Sequence, residues 1–372
     1  KLEHLPTVTV QIPIYNERYV AARCIRAVCS LNYPKSLLQV QVLDDSIDDT
    51  RMLCQQEVAS QQRLGLDIEY LSRPVRNGFK AGALGEGLAT AKGEFVAIFD
   101  ADFIPQPDFL RRALAYFTSD EIGLVQGRWT HLNEEYSILT RAEASNLDYH
   151  FLIEQAGRDS SGLFLNFNGT AGVWRKRCIL DTGGWRDTLA EDMDLSIRAQ
   201  LRGWKLRFVP SLHCPSELPV EMVGARRQRF RWSKGATECG RRYLPTILRG
   251  KVSPIVKANI FTQLTQSALS VFVLGQFLLL PFLMRFQFNL TPAFLTAAPA
   301  PIGCVLYYAA LRKMYGRDAR RKISSHMLAL LFHSGLLVNN AKAFLEGLLG
   351  FRSDFLRTPK YGIVSFNDQW RN

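Results

Sequence analysis

Two aspartates one residue apart, Asp100 and Asp102, close the apolar stretch VAIFDADFIP at residues 96–105. Paired carboxylates at the end of a buried strand offer hard oxygen ligands of the kind Mg2+ or Mn2+ takes when it also holds a phosphate. D-x-D recurs by chance, and on its own it fits a solvated turn equally well. Other residues add weight to the metal reading. VLDDSIDD puts Asp44 and Asp45 at the end of another apolar run, where a carboxylate can accept from a nucleobase imide or a ribose hydroxyl. RPVRNGFKAGAL brings Arg73, Arg76 and Lys80 to the start of a helix, and a helix N-terminus beside a lysine suits a diphosphate. The glycines Gly82, Gly85 and Gly87 run G-x-x-G-x-G, which is not the dinucleotide fingerprint, and no P-loop sequence occurs. A nicotinamide enzyme is therefore disfavoured.

Further along, DTLAEDMDLSIRAQLRGW sets Glu191, Asp192 and Asp194 in the first turn of an amphipathic helix. Acids there are often only partners of the helix dipole, yet one could take a proton from an attacking hydroxyl. RRQRFRWSKG then offers Gln228, Arg229, Arg231 and Trp232. Such a stretch can be a membrane-surface anchor, or it can supply a cation for a leaving diphosphate and a flat ring for a sugar.

The elements that must carry these residues alternate. Residues 7–17, 37–46, 67–74 and 93–102 read as strands, and 18–31, 50–63 and 80–91 as helices. This alternation predicts an α/β domain with a mostly parallel sheet covered on both faces. Asn16–Glu17, Asp44–Asp45 and Asp100–Asp102 all fall at carboxyl ends of strands, where such sheets bind ligands. A net charge of +12 suits a phosphate-bearing partner or an anionic membrane face. The basic residues gather near the apolar segments rather than among aromatics on one soluble face, which argues against nucleic acid and against a non-catalytic scaffold. Seven cysteines without a C-x-x-C pair read as reduced thiols facing the cytosol.

Beyond residue 250 the composition changes. Residues 258–284 and 286–311 hold no Asp, Glu, Lys or Arg, and a short turn separates them, so they predict a transmembrane hairpin. The basic run RKMYGRDARRK after it predicts that both ends of the hairpin, and the catalytic part with them, lie in the cytosol. Residues 323–350 carry Lys342 and Glu346, which disfavours a third span and favours one helix lying in the membrane interface. The resulting division is 1–217 catalytic, 218–256 interfacial helices, 257–312 hairpin, and 313–372 interfacial helix with a terminal segment.

In this order and spacing the motifs resemble those of membrane-integrated family 2 glycosyltransferases: D at Asp45 (or Asp44), D-x-D, E-D at Glu191–Asp192, and Q-x-x-R-W at Gln228, Arg231 and Trp232. The likeness runs over residues 7–362. It is nearest to cellulose synthase-like enzymes that make β-1,4-mannan or glucan, carried by VQIPIYNE, FKAGALGEGL, LDYHFLIEQ, FNGTAGVWR and SELP among others. The resemblance implies a GT-A (Rossmann-like) domain. In it Tyr15, Glu17, Asp44, Asp45 and Gln228 would serve the donor, Lys80 its phosphates, and Asp102 with Asp100 the Mg2+ or Mn2+. Asp192 would be the base beside Glu191, and Arg231 would face the diphosphate. Trp232 and the run Phe167 to Thr170, with Phe167, Gly169 and Thr170 in it, would line the acceptor site. FLRTPK resembles a gating loop, with Phe355, Thr358 and Lys360; Arg357 and Pro359 depart from that pattern, and Ala190 stands where the family has Thr.

The implied activity is an inverting hexosyltransferase that moves sugar from UDP-glucose or GDP-mannose to a growing β-1,4-glycan in an integral membrane protein with a cytosolic active site. Transfer of one sugar to a lipid acceptor, as in ceramide glucosyltransferase-like relatives, is the second option. Because the family carries membrane helices before and after this region, a longer parent chain is expected; a secretion partner and the oligomeric state stay open.

Overall fold

The structure, a computed structural model, describes residues 5–286, 299–316, 319–353, 357–365 and 367–369. Four parallel strands open the chain: β1 (Val8–Ile14), β2 (Leu38–Asp44), β3 (Asp67–Leu71) and β4 (Phe95–Ile98). They are joined by α1 (Ala21–Cys29), α2 (Thr50–Arg63) and α3 (Phe79–Thr90). After α4 (Phe109–Leu114) come β5 (Ile122–His131), α5 (Ile138–Tyr149), a π-helical segment His150–Gln155 and α6 (Ala156–Ser160). β6 (Gly172–Arg175), α7 (Lys176–Asp181), α8 (Glu191–Leu201) and β7 (Lys205–Ser216) complete one seven-stranded sheet of order β3-β2-β1-β4-β6-β5-β7.

The sheet is mostly parallel, as expected, with one strand reversed: β6 runs antiparallel to both β4 and β5. This has a use. A reversed strand begins at the edge where parallel strands end, and Gly172 pairs with Ile98, so the loop leading into β6 lies beside the end of β4. On one face α1, α2 and α4 bury Val10, Ile12, Val40 and Val42; on the other α3, α5 and α8 bury Val96, Ile98 and Trp174.

Alternation such as V-T-V-Q suggests strands wet on one side, yet Thr9, Gln11, Gln39 and Gln41 are all buried. α3 covers them, and they hydrogen-bond to one another, leaving Gln11 Oε1 without a partner. Thr9 Oγ1 donates to Gln39 Oε1 (2.7 Å) and Gln11 Nε2 to Gln41 Oε1 (3.0 Å), while both Gln39 and Gln41 donate to Glu69. Buried amides are tolerated where their groups find partners.

The C-terminal part is helical: α9 (Met222–Arg249), α10 (Pro254–Thr265), α11 (Ala268–Arg285), α12 (Pro299–Tyr315), α13 (Ala319–Gly335) and α14 (Leu337–Leu349). No residue of α11 is buried, and its mean hydropathy is 1.8 over 18 residues, so it is long and apolar enough to cross a membrane. Most of the expected turn between the two spans lies outside the described residues. Where the sequence predicts one helix over 323–350, the chain forms two, α13 and α14, bent by 57°. α13 lies along α5 while α14 lies along α9, and Gly335 at the break is a weak helix former. All six cysteines whose side chains are described are free.

Candidate active site

The carboxyl ends of β1, β2 and β4 open into a cavity of about 180 Å3. On one wall stand Tyr15, Asp45 and Arg76. Arg73 grips Asp45 through Nε to Oδ1 (2.9 Å) and through a second contact, and it also donates to the carbonyls of Asn77 (2.8 Å) and Phe79 (2.9 Å). This is why α3 needs Gly82: a Cβ there would run into the Asn77 carbonyl oxygen and Arg73 Nη1. Arg76 lies over the Tyr15 ring, its guanidinium carbon 3.5 Å from the ring centroid.

The floor is a set of opposite charges. Lys80 Nζ reaches Asp100 Oδ1 at 2.5 Å and the Gly169 carbonyl at 2.9 Å, Lys360 meets Asp102 at 2.8 Å, and Arg357 meets Glu17 at 3.0 Å. Burial pushes Glu17 up to about 7, against the pull of Arg357, and the nearby Asp102 and Asp100 add to the rise. Burial also raises Asp100, with Lys80 opposing it. For Lys80 burial works against the charge, yet Asp100 and Glu191 outweigh it and its pKa lies above the ordinary value.

Glu191 and Asp192 form the facing wall at the start of α8, with Arg231 and Trp232 of α9 beside them. Burial pushes both carboxyls up, and neither titrates independently of the other: Asp192 lifts Glu191 further while Lys80 and Arg231 pull the pair back. Asp192 Oδ1 accepts from the Met193 amide at 2.8 Å. Gly169 has φ +84°, and a Cβ on it would lie 3.1 Å from Asp192 Oδ2, so the loop before β6 passes close to this carboxylate only as glycine. Trp232 has Trp129 at 6.4 Å and the Arg229 guanidinium at 5.0 Å.

Gln228, Gly169, Thr358 and Lys360 also line the cavity. Three expected residues stand behind its wall instead. Asp44 is fully buried, accepting from the Tyr70 hydroxyl (2.9 Å) and the Ser46 amide (2.9 Å), because it is the last residue of β2 and points away from the opening. Phe167 is buried edge-on to Trp174, packed over Gly172, and so belongs to the core rather than to an acceptor surface. Thr170 accepts from the Asp100 amide at 2.9 Å and ties the loop to β4. Asp194, the third acid of α8, is buried against Arg198, Arg242 and Tyr243. Phe355 lies outside the described residues.

Asn168, inside the expected run Phe167 to Thr170, does line the cavity; sequence reasoning missed Trp129 and Glu217. Glu217 sits inside SELP, which was singled out only as a segment; nothing in the sequence marked Trp129. Glu217 clasps the terminal strap: its carboxylate accepts from the amides of Tyr361 (2.8 Å) and Gly362 (2.9 Å), and its carbonyl from Lys360.

Residues 6–235 match the family model described as glycosyltransferase like family 2. Over 368 residues, 96% of the chain, it is 37% identical to glucomannan 4-beta-mannosyltransferase 1 of Oryza sativa subsp. japonica, spanning 70% of that protein. The chain is a family 2 glycosyltransferase of the cellulose synthase-like group. It is also 45% identical over 254 residues to glucomannan 4-beta-mannosyltransferase 2 of Arabidopsis thaliana, covering 67% of the chain and 48% of that protein. Among solved structures, the mannosyltransferase PcManGT from Pyrobaculum calidifontis, in complex with GDP-Man and Mn2+, superposes with a TM-score of 0.61 at 20% identity, over 92% of this chain and 88% of that one. S. aureus TarS 1-349 with UDP-GlcNAc gives 0.51 at 15% identity over 97% of each. At those identities what this glycosyltransferase shares with them is the GT-A fold.

Proposed function

We propose that this glycosyltransferase extends a β-1,4-linked mannan or glucomannan, using a nucleotide-linked hexose of the GDP-mannose type, while held in a membrane by α11 and α12. One observation carries the chemistry. A single cavity brings Asp45, Asp100 and Asp102 at the strand ends opposite Glu191, Asp192, Arg231 and Trp232 of two helices. The acceptor follows from the two plant relatives, whose names specify glucomannan; transfer to a lipid finds no such support.

Asp192 is the group to take the proton from the acceptor hydroxyl, since burial holds its pKa nearer to neutrality than that of an ordinary aspartate. The hydroxyl oxygen then attacks the anomeric carbon as the bond to the diphosphate breaks on the opposite face. Arg231 and Lys80 meet the charge that gathers on the departing diphosphate. Trp232 and Trp129 offer faces on which the acceptor sugar can stack.

Asp100 and Asp102 fit a divalent metal by donor type, being hard carboxylate oxygens side by side on the cavity floor. Among the described residues no three or more His, Cys, Asp or Glu are grouped so that they could hold a metal ion by themselves, so diphosphate oxygens and water would have to complete the shell. When bound, such an ion would neutralise diphosphate charge.

The test is a screen of GDP-mannose and UDP-glucose as labelled donors with Mg2+ or Mn2+, using membranes that contain the full-length protein. We expect GDP-mannose to give an ethanol-insoluble product that endo-β-1,4-mannanase degrades. Label extractable into organic solvent, or resistant to that enzyme, would overturn the proposal.

A further inference from the structure

LDYHFLIEQ, residues 147–155, ends α5 in a π-helical turn, His150–Gln155. The π-helix is rare and tends to mark functional sites. Here it has a geometric consequence. In an α-helix, residues five apart point roughly 140° away from each other, whereas an i→i+5 turn brings them close to one side. His150 and Gln155 are five apart, and both reach the same cavity-lining side chain, Asn168.

The contacts form one directed chain. Gln155 Nε2 donates to Asn168 Oδ1 at 2.8 Å, and Asn168 Nδ2 lies 2.9 Å from His150 Nε2. His150 Nδ1 lies 2.8 Å from Glu154 Oε2. A carboxylate can only accept, so Nδ1 carries the proton, Nε2 presents its lone pair, and Asn168 must donate to it. Arg158, 3.5 Å from Glu154, stands beyond. The carboxamide of Asn168 is therefore fixed, oxygen toward Gln155 and nitrogen toward His150. Its backbone amide donates to Gln126 Oε1 at 3.0 Å, which fixes the loop as well.

The same turn is braced on its outer side. Tyr149 meets Tyr307 of α12 at 5.1 Å, and Ile153 packs into the cluster around Tyr307 and Leu311. On its inner side, fully buried Phe151 packs against Trp129 at 5.4 Å. Trp129 and Asn168, two lining residues, thus take their positions from one π-turn held between the sheet and α12.

We infer that Asn168 is a specificity-determining contact for a hydroxyl of the terminal acceptor sugar, with His150 and Gln155 as positioning residues that set which amide atom faces it. Asn168 lines the same cavity as Asp192, and its neighbour Gly169 comes close to the Asp192 carboxylate, which puts Asn168 near the group that would take the acceptor's proton. An oriented amide offers one remaining N–H and one remaining oxygen lone pair, a match for a sugar hydroxyl and for little else. Sites built to bond a hydroxyl discriminate strongly against analogues lacking it. The inference rests on the acceptor being a glycan, as proposed above.

The experiment compares β-1,4-mannotetraose with analogues deoxygenated at C3 or at C6 of the non-reducing terminal sugar, in wild type, Asn168→Ala and His150→Ala. One of the two analogues should raise the acceptor KM of the wild type about tenfold, the size of one neutral hydrogen bond, and should leave that of Asn168→Ala unmoved. His150→Ala should raise the acceptor KM while leaving the donor KM in place, and His150→Gln, whose amide oxygen can accept from Asn168, should recover part of the loss. If both analogues cost wild type and Asn168→Ala equally, or if His150→Ala raises donor and acceptor KM together, the inference fails while the proposed function stands. No elongation of mannotetraose by wild type would overturn both. Should His150→Ala not fold, the Asn168→Ala coupling alone decides.

Discussion

Asp192 and Glu191 are adjacent, buried and raised in pKa, so they compete to stay protonated. A base works only when it has lost its proton. The sign follows: kcat/KM must fall as pH drops through the raised pKa of the pair, at a higher pH than for an ordinary aspartate near 3.8. Asp192→Asn keeps shape and hydrogen bonding but removes the base, and we expect transfer to drop by roughly 10²- to 10⁴-fold with donor binding retained. A pH–rate profile together with nucleotide-sugar affinity checks this; an acid limb at the ordinary aspartate value, or normal turnover by the Asp192→Asn variant, would move the role to another group. The E-D motif made this pair legible, not its place, because acids in the first turn of a helix are common. Asp44 and Asp45 were not separable in the same way. Which of two consecutive residues faces the cavity depends on strand phase at the edge, and of the two only Asp45 meets the cavity and Arg73.

At the scale of elements, the parallel strands β1 to β4 and their helices were readable from alternation, and the site residues fell at strand ends as Rossmann-like packing requires. The antiparallel β6 was not readable. Four residues carry too little pattern, and its direction is set by long-range pairing with Ile98 and Leu124. The terminal strap was legible only as a motif. Its attachment was hidden, because Glu217 lies about 140 positions before Tyr361 and Gly362, at the end of β7. Glu217→Ala removes both acceptor oxygens from those two amides and loosens the strap that carries Lys360, although the Lys360 bonds to the Glu217 carbonyl and to Asp102 remain. Each bond to a charged group is worth about 1.5–3 kcal/mol, so donor KM should rise roughly tenfold or more. Limited proteolysis should then cut first within residues 357–362. If cleavage and KM both stay as in wild type, the strap is not held by Glu217 in the working enzyme.

Across the whole molecule, the apolar runs announced the helices of the C-terminal half, but not how those helices grip the catalytic domain. That grip is a buried ion cluster. Asp148 on α5 meets Arg128 at 2.8 Å and Lys322 of α13 at 3.2 Å, Lys322 also meets Glu134 at 2.5 Å, and Arg128 donates to the Tyr315 hydroxyl of α12 at 2.7 Å. The basic segment after α12 is thereby fastened to the catalytic domain. On the proposed hairpin, α11 and α12 then leave and re-enter on that one side, in line with the charge asymmetry. Burial opposes the charge on Asp148, but His131, Lys322 and Arg128 outweigh it and hold its pKa well below the usual range. A depressed carboxylate stabilises above its unfolded pKa, so this contribution is full at neutral pH and fades as pH falls below about 4. Removing one charge of a buried set is costly when it leaves the others unpaired, roughly 3–5 kcal/mol. Asp148→Ala strands both Arg128 and part of Lys322, while Lys322→Met leaves Asp148 with Arg128. Thermal unfolding of the detergent-solubilised protein at pH 7 should therefore rank Asp148→Ala well below Lys322→Met, with the gap still open near pH 5 and closing only as the buffer is taken below about pH 4. Equal losses in the two variants at both pH values would mean that the helices are held by apolar packing around Tyr307 and Leu311 and not by this cluster.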